Sequence, residues 1–131
     1  MKYAALLVIA SFIFGTAEAQ TWVQLTGGAF VITPDQVSRI QGTLASQVSA
    51  AARARGLKFP AWRTFLLQYR SRYVKGLRLI EIQGSCQREP DIDIRKDFVG
   101  DQVDDGGTCF FMVLYVVDSQ HYSNVVFHGY G

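Results

Sequence analysis

The 131-residue sequence contains little of the chemistry on which most enzymes depend. It has two histidines, His121 and His128, which offer little for a histidine-based metal site or a catalytic triad. It also lacks a glycine pattern that cradles phosphate. Its acidic residues have neither the spacing nor the closing Glu of a calcium-binding loop. These absences favour a binding protein over an enzyme, and we predict no catalytic residue, no metal and no cofactor.

The sequence also has a small net charge and few cysteines. The formal net charge is +2, which does not suggest a nucleic-acid-binding protein. Basic residues concentrate within residues 53–78 and acidic residues within 89–105, which we interpret as two solvated surfaces that partly neutralise each other. The only cysteines are Cys86 and Cys109. In an oxidising compartment, with no other partner in the chain, we predict a disulfide between them.

The long apolar run lies at the start of the sequence. A basic Met1-Lys2 precedes apolar residues 4–14, and small residues follow at Ala17-Glu18-Ala19. These are the parts of a secretory signal peptide, whose apolar run is too short to span a bilayer of about 30 Å. We therefore predict a signal peptide at residues 1–19 and one domain at residues 20–131. The mature protein is expected to be secreted, extracellular and free of the membrane.

A single long helix is predicted over residues 34–55. Thr33-Pro34-Asp35-Gln36 supplies a cap, a proline suited to the first helical position and a capping box. Gly56 is a natural stop. Gly42 weakens the helix by about 1 kcal/mol relative to Ala, and its small size suggests close approach of a neighbouring strand. One apolar stripe recurs at intervals of three and four, at Val37, Ile40, Leu44, Val48 and Ala51.

A long β-hairpin is predicted at the centre of the chain. Its first strand alternates between apolar and polar positions, with Phe65, Leu67, Tyr69 and Tyr73 on one face and Gln68, Arg70 and Arg72 on the other. In the second strand the apolar positions change parity between Leu79 and Ile80, which predicts a bulge. Gly76 suits the tight turn because it accepts positive φ. Arg72, Lys75 and Arg78 make the tip cationic and exposed.

The C-terminal part adds two strands. Residues 109–117 are continuously apolar, as in a central strand that a helix covers on one face, and residues 122–130 form the last strand. Residues 87–107 are polar, acidic and interrupted by proline and glycine, so we predict a loop there. The element order is β-α-β-β-β-β. It predicts an α+β domain with one long helix across a four- to five-stranded antiparallel sheet.

Four ordered features resemble the secreted, disulfide-containing branch of the cystatin superfamily. They are the Leu25-Thr26-Gly27-Gly28 segment, the long helix, the Arg72-Tyr73-Val74-Lys75-Gly76 sequence on the Gln-x-Val-x-Gly pattern, and the strand at residues 109–117. The resemblance implies a cystatin-like fold that inhibits papain-like, cathepsin-type cysteine proteases with an N-terminal glycine segment and two hairpin loops. The protease-binding residues it implies are Gly27, Gly28, Arg72, Tyr73, Val74, Lys75, Gly76, Asp118, Ser119, Gln120 and His121.

The departures from the family pattern define an alternative. Arg72 replaces Gln, Asp118-Ser119 replaces the usual Pro-Trp, and the family's other two cysteines are absent. An ungapped count back from Cys86 places residues 68–72 on the first-loop pattern; we prefer the register that puts Gly76 at the tip. Charged tip residues are costly to bury without partners, so inhibition is weakened or redirected toward an acidic cleft. The alternative is a non-inhibitory secreted cystatin-fold protein, acting as an extracellular, matrix or ligand-binding component.

Overall fold

The computed structural model describes residues 20–87, 91–102 and 107–128, so the predicted signal peptide lies outside the described residues. In these ranges no helix is both long and apolar enough to cross a membrane. The described residues form one α-helix, two short 3-10 helices at Trp62–Thr64 and Val99–Gln102, and six strands. In chain order they are β1 (Thr21–Gln24), α1 (Pro34–Ala54), β2 (Leu66–Val74), β3 (Leu77–Ser85), β4 (Gly107–Val116), β5 (His121–Tyr122) and β6 (Val126–His128).

Helix α1 begins where the capping signals predict. The Thr33 side chain accepts the backbone N–H of Gln36, and the Gln36 side chain accepts the N–H of Thr33. Gly56, just beyond the helix, has a φ of 66°. Nothing lies within 4 Å of the position that a Cβ on Gly42 would occupy, so the expected close approach of a strand there is wrong. The predicted stripe is confirmed, with Ile40, Leu44, Val48 and Ala52 buried and Val37 and Ala51 packed beside them.

The sheet has the order β1-β2-β3-β4-β5, with β6 also paired to β4. All pairs are antiparallel except β1 with β2, which is parallel. The predicted α+β domain with one long helix on the sheet is therefore confirmed. The predicted four- to five-stranded antiparallel sheet is wrong in two respects, because the sheet has six strands and its first pair is parallel. Helix α1 provides the crossover that parallel neighbours require. The predicted last strand is two short strands, and residues 129–131 lie outside the described residues.

Helix α1 covers one face of this sheet, which we call the helix face. Its buried members are apolar and come from every strand except β1 and β5, among them Leu67, Ile80, Ile82, Phe111, Val113, Tyr115 and Phe127. Phe59, Trp62 and Phe65 close the end nearest the helix C-terminus, where their rings pack against one another and against Phe111. Strand β4 lies between β3 and β5, as its unbroken apolar sequence predicts.

The opposite face of the sheet, which we call the loop face, is covered in part by residues 91–102. Phe98 and Val99 of this segment are buried. From β2, the Gln68 Nε2 atom donates to the carbonyl oxygens of Ile94 and Asp97, at 2.8 Å each, and its Oε1 accepts the N–H of Val99 at 2.9 Å. The segment is a loop with exposed aspartates, as predicted, but it is also fixed to the sheet by a buried amide.

Burial on both faces explains the parity change in β3. Its pairing with β2 is continuous from Leu77 to Ser85, so the predicted bulge is wrong. Ile80 and Ile82 contribute to the helix-face core, whereas Leu79 and Glu81 are buried on the loop face. Because both sets are buried, the apolar positions do not follow a single period of two.

The predicted disulfide joins Cys86, just after β3, to Cys109 in β4, with 5.0 Å between the two Cα atoms. The Cys86 N–H also donates to the Cys109 carbonyl oxygen at 2.9 Å. The bridge closes the stretch that contains residues 91–102, and Cys109 packs in the apolar cluster beneath that segment. The disulfide prediction is confirmed.

Candidate binding surface at one end of the sheet

Three segments lie side by side where β2 ends, and we call residues 27–31, 72–78 and 117–121 the sheet-end surface. The β2–β3 and β4–β5 turns are neighbours because the Val117 N–H donates to the Arg78 carbonyl oxygen at 3.0 Å. On the other side of the first hairpin, the Ala29 N–H donates to the Ser71 carbonyl oxygen at 3.1 Å. The residues that the sequence places in the three parts of a binding surface are therefore brought together by the fold.

The first hairpin has a two-residue turn. Val74 lies opposite Leu77, and between them Lys75 and Gly76 have φ angles of 50° and 78°. Positive φ at both central residues is the geometry of a type I′ turn, whose twist matches that of the strands. Gly76 thus lies at the tip, as the preferred register expects. Gln68 of the alternative register is buried within β2.

The glycine segment is held along β2. Leu25 N–H donates to the Tyr69 carbonyl oxygen at 2.9 Å. The Ser71 hydroxyl accepts the Phe30 N–H at 3.0 Å and donates to the Phe30 carbonyl oxygen at 2.7 Å. A Cβ on Gly28 would lie 2.7 Å from the Ser71 hydroxyl oxygen, so a side chain there would displace this hydroxyl from its two hydrogen bonds with Phe30.

The direction of β1 explains this arrangement. Thr21 pairs with Leu66 at the start of β2, so β1 runs toward the sheet-end surface and not away from it. The side-chain amide of Gln20 donates to the Trp62 carbonyl oxygen at 2.6 Å, at the far end of the sheet. Gly27 and Gly28 therefore form an internal connection between β1 and α1, with backbone hydrogen bonds on both sides.

Two of the three cations at the first hairpin have carboxylate partners. Arg72 contacts Glu81, whose side chain is 9% exposed, and Arg78 contacts Asp118 at 2.6 Å. The hydrogen bond and the charge of Asp118 raise the pKa of Arg78 above its ordinary value. Within the described part of the chain, Lys75 has no ion-pair partner. The cationic, exposed tip that the sequence predicts is therefore present, with most of its charge compensated.

Exposed apolar side chains accompany these charges. Val31 is 87% exposed, Tyr73 is 57% exposed and Leu77 is 49% exposed. The centre of the Phe30 ring lies 5.4 Å from that of the Tyr73 ring. The guanidinium of Arg78 lies over the Phe30 ring, 6.0 Å from its centre. Tyr73 pairs with Arg78 and Leu77 with Val74, so these two exposed side chains lie on opposite faces of the hairpin and flank its tip on both sides.

The second turn is anchored by the helix. Arg39 donates from Nη1 to Gln120 Oε1 at 2.8 Å, and Gln120 has a φ of 53°. Within the turn, the Ser119 hydroxyl is hydrogen-bonded to Nδ1 of His121. A groove of about 310 Å³ lies beside this contact, where burial raises the pKa of Tyr122. Sequence patterns did not identify Arg39, since it lies on the polar side of α1 and 81 residues from Gln120.

The described residues contain no group of three or more His, Cys, Asp or Glu that could hold a metal ion. No family model, curated protein or solved structure matches the chain. The sheet-end surface is therefore interpreted from its own geometry and chemistry.

Proposed function

We propose that this protein is a secreted, cystatin-like inhibitor of papain-like cysteine proteases that inserts the sheet-end surface into the active-site cleft. One observation carries the proposal. The glycine pair, the first hairpin tip and the second turn, which the resemblance names as protease-binding, lie side by side at one end of one sheet. Three distant stretches of chain thus present one continuous edge.

Inhibition by this surface requires shape and not catalysis. Two hairpin turns and a hydrogen-bonded glycine segment lose little conformational freedom on docking, so contact area is converted efficiently into affinity. Val31, Tyr73 and Leu77 supply exposed apolar area for the cleft. At the tip, Gly76 lets the backbone approach closely without a side chain.

The internal ion pairs support the proposal against the objection that charged tips are costly to bury. Arg72 is ion-paired with Glu81, and Arg78 is ion-paired with Asp118, so neither guanidinium would enter the cleft without a partner. A charge that is already paired is less costly to desolvate than an isolated one. The first hairpin remains the strongest part, because Asp118-Ser119 offers no large aromatic contact.

The test is a titration of papain and of a cathepsin-type protease with purified residues 20–131. We expect residual protease activity to fall as the protein is added. Gly76→Val should abolish inhibition because a β-branched residue does not tolerate a φ of 78°. Ser119→Ala is the matched change on the second turn and should alter the inhibition constant little. Equal losses in both variants would contradict the dominance of the first hairpin, and an inactive parent protein would contradict the proposed function.

A second candidate is a non-inhibitory secreted protein of the same architecture that acts as an extracellular, matrix or ligand-binding component. The observation that favours it is that backbone hydrogen bonds to β2 at Leu25 and Ala29 fix the segment with Gly27 and Gly28, so this segment is not free to follow a protease cleft. A folded protein, with a cooperative melting transition and no effect on either protease, would favour this candidate.

A further inference from the structure

Lys75 occupies a backbone position that its side chain disfavours. Its φ of 50° places it in the left-handed region, which a residue with a Cβ adopts at a cost in free energy. The first central position of a type I′ turn prefers Asn, Asp or Gly. At this turn the strain is therefore borne by a lysine, and strained residues concentrate at functional sites.

The same lysine is the tip cation without an internal partner. Arg72 and Arg78 are engaged with Glu81 and Asp118, while Lys75 forms no ion pair within the ranges the structure describes. Exposed Tyr73 and Leu77 each lie two residues away from it. If the tip between these two side chains docks in a cleft, the Lys75 ammonium group is desolvated, which is favourable only when the partner supplies a carboxylate.

We propose that Lys75 determines the specificity of the first hairpin, and that its targets are papain-like proteases whose cleft has a carboxylate next to an apolar wall. This inference rests on the proposed function and names the partner's chemistry. The turn accepts a strained backbone conformation that places one cation at the tip of the first hairpin. The charge selects the protease, and Tyr73 and Leu77 supply apolar contact area.

The experiment separates strain from recognition with four proteins: the parent, Lys75→Asn, Lys75→Arg and Lys58→Gln. Asn relieves the strained turn and removes the charge, whereas Arg keeps both the strain and the charge. Lys58 is an exposed lysine on the connector between α1 and β2, at the other end of the sheet, and its variant is the matched charge control. Melting temperature and inhibition of the protease that the parent inhibits best are measured at low and high salt.

We expect Lys75→Asn to melt about 2–4 °C higher than the parent, and to inhibit at least tenfold more weakly, roughly the loss of a desolvated charge pair. Lys75→Arg should recover most of the inhibition, and Lys58→Gln should match the parent. High salt should weaken inhibition by the parent more than inhibition by Lys75→Asn, because salt screens the charge of Lys75.

If Lys75 had a purely structural role, Lys75→Asn would lower both the melting temperature and the inhibition. That outcome overturns the inference. The inference is overturned if Lys75→Asn inhibits as tightly as an active parent, and the proposed function then still stands. A parent that inhibits neither papain nor the cathepsin-type enzyme overturns both.

Discussion

Both faces of the sheet carry buried side chains, but different forces hold them. The helix face is a continuous apolar core in which Leu44 and Val48 of α1 have no exposed surface. The loop face buries polar groups, among them Gln68, Glu81 and Gln83. Apolar burial is non-directional and tolerates small shifts, whereas buried polar groups depend on individual hydrogen bonds. We therefore expect α1 to stabilise the whole domain, whereas the polar contacts of the loop face mainly position residues 91–102.

Leu44→Ala tests the helix face and should have the largest effect. Removing a fully buried leucine leaves a cavity, so we expect the free energy of unfolding to fall by about 4 kcal/mol. Urea unfolding measures the change, and amide hydrogen exchange should accelerate across all strands. Leu77→Ala, at a half-exposed position, is the control and should cost less than about 1 kcal/mol. Acceleration confined to α1 would show that the two faces unfold independently.

Replacing both Cys86 and Cys109 with Ser tests the boundary between the faces, since Cys86 packs against the apolar clusters of both. The bridge spans 23 residues, and we expect its loss to lower the free energy of unfolding by about 3 kcal/mol in the chain-entropy model. The parent protein under reducing conditions should show the same loss. A fall smaller than about 1 kcal/mol would mean that the closed stretch is held mainly by other contacts.

Gln68→Leu tests the loop face. It removes three hydrogen bonds and leaves the carbonyl oxygens of Ile94 and Asp97 and the N–H of Val99 without their partner. We expect a loss of about 2 kcal/mol and faster amide exchange at Val99 and its neighbours. Gln41→Leu, on the exposed side of α1, is the control. If amide exchange in α1 accelerated as much as exchange near Val99, Gln68 would stabilise the whole domain and not only the segment on the loop face.

Gly42→Ala should have the smallest effect and the opposite sign. The site is exposed and nothing lies near its missing Cβ, so Ala adds helix propensity without a clash. We expect the free energy of unfolding to rise by about 1 kcal/mol. Thermal melting measures the gain, and a loss of stability would indicate a contact on the outer side of α1.

Much of the fold could be predicted because the deciding interactions are local. Thr33 and Gln36 form the capping box from adjacent positions, and the stripe of α1 follows from helical periodicity. The turn at Lys75 and Gly76 follows from the two strands that flank it. Cys86 and Cys109 are the only cysteines, so no other disulfide within the chain was possible. In the candidate site, the sequence correctly placed Gly76 at the tip and the charges around it.

Other features depend on residues that only the folded chain brings together. Ser71 fixes the glycine segment through Phe30, 41 residues away, and Arg39 reaches Gln120 across 81 residues. The parallel direction of β1 and the role of Gln68 are likewise set by contacts that have no sequence periodicity. The sequence determined the elements and the turn chemistry, since these depend on neighbouring residues. Tertiary structure decided which charges are paired and which segment is held, because hydrogen bonds form only at specific distances and angles.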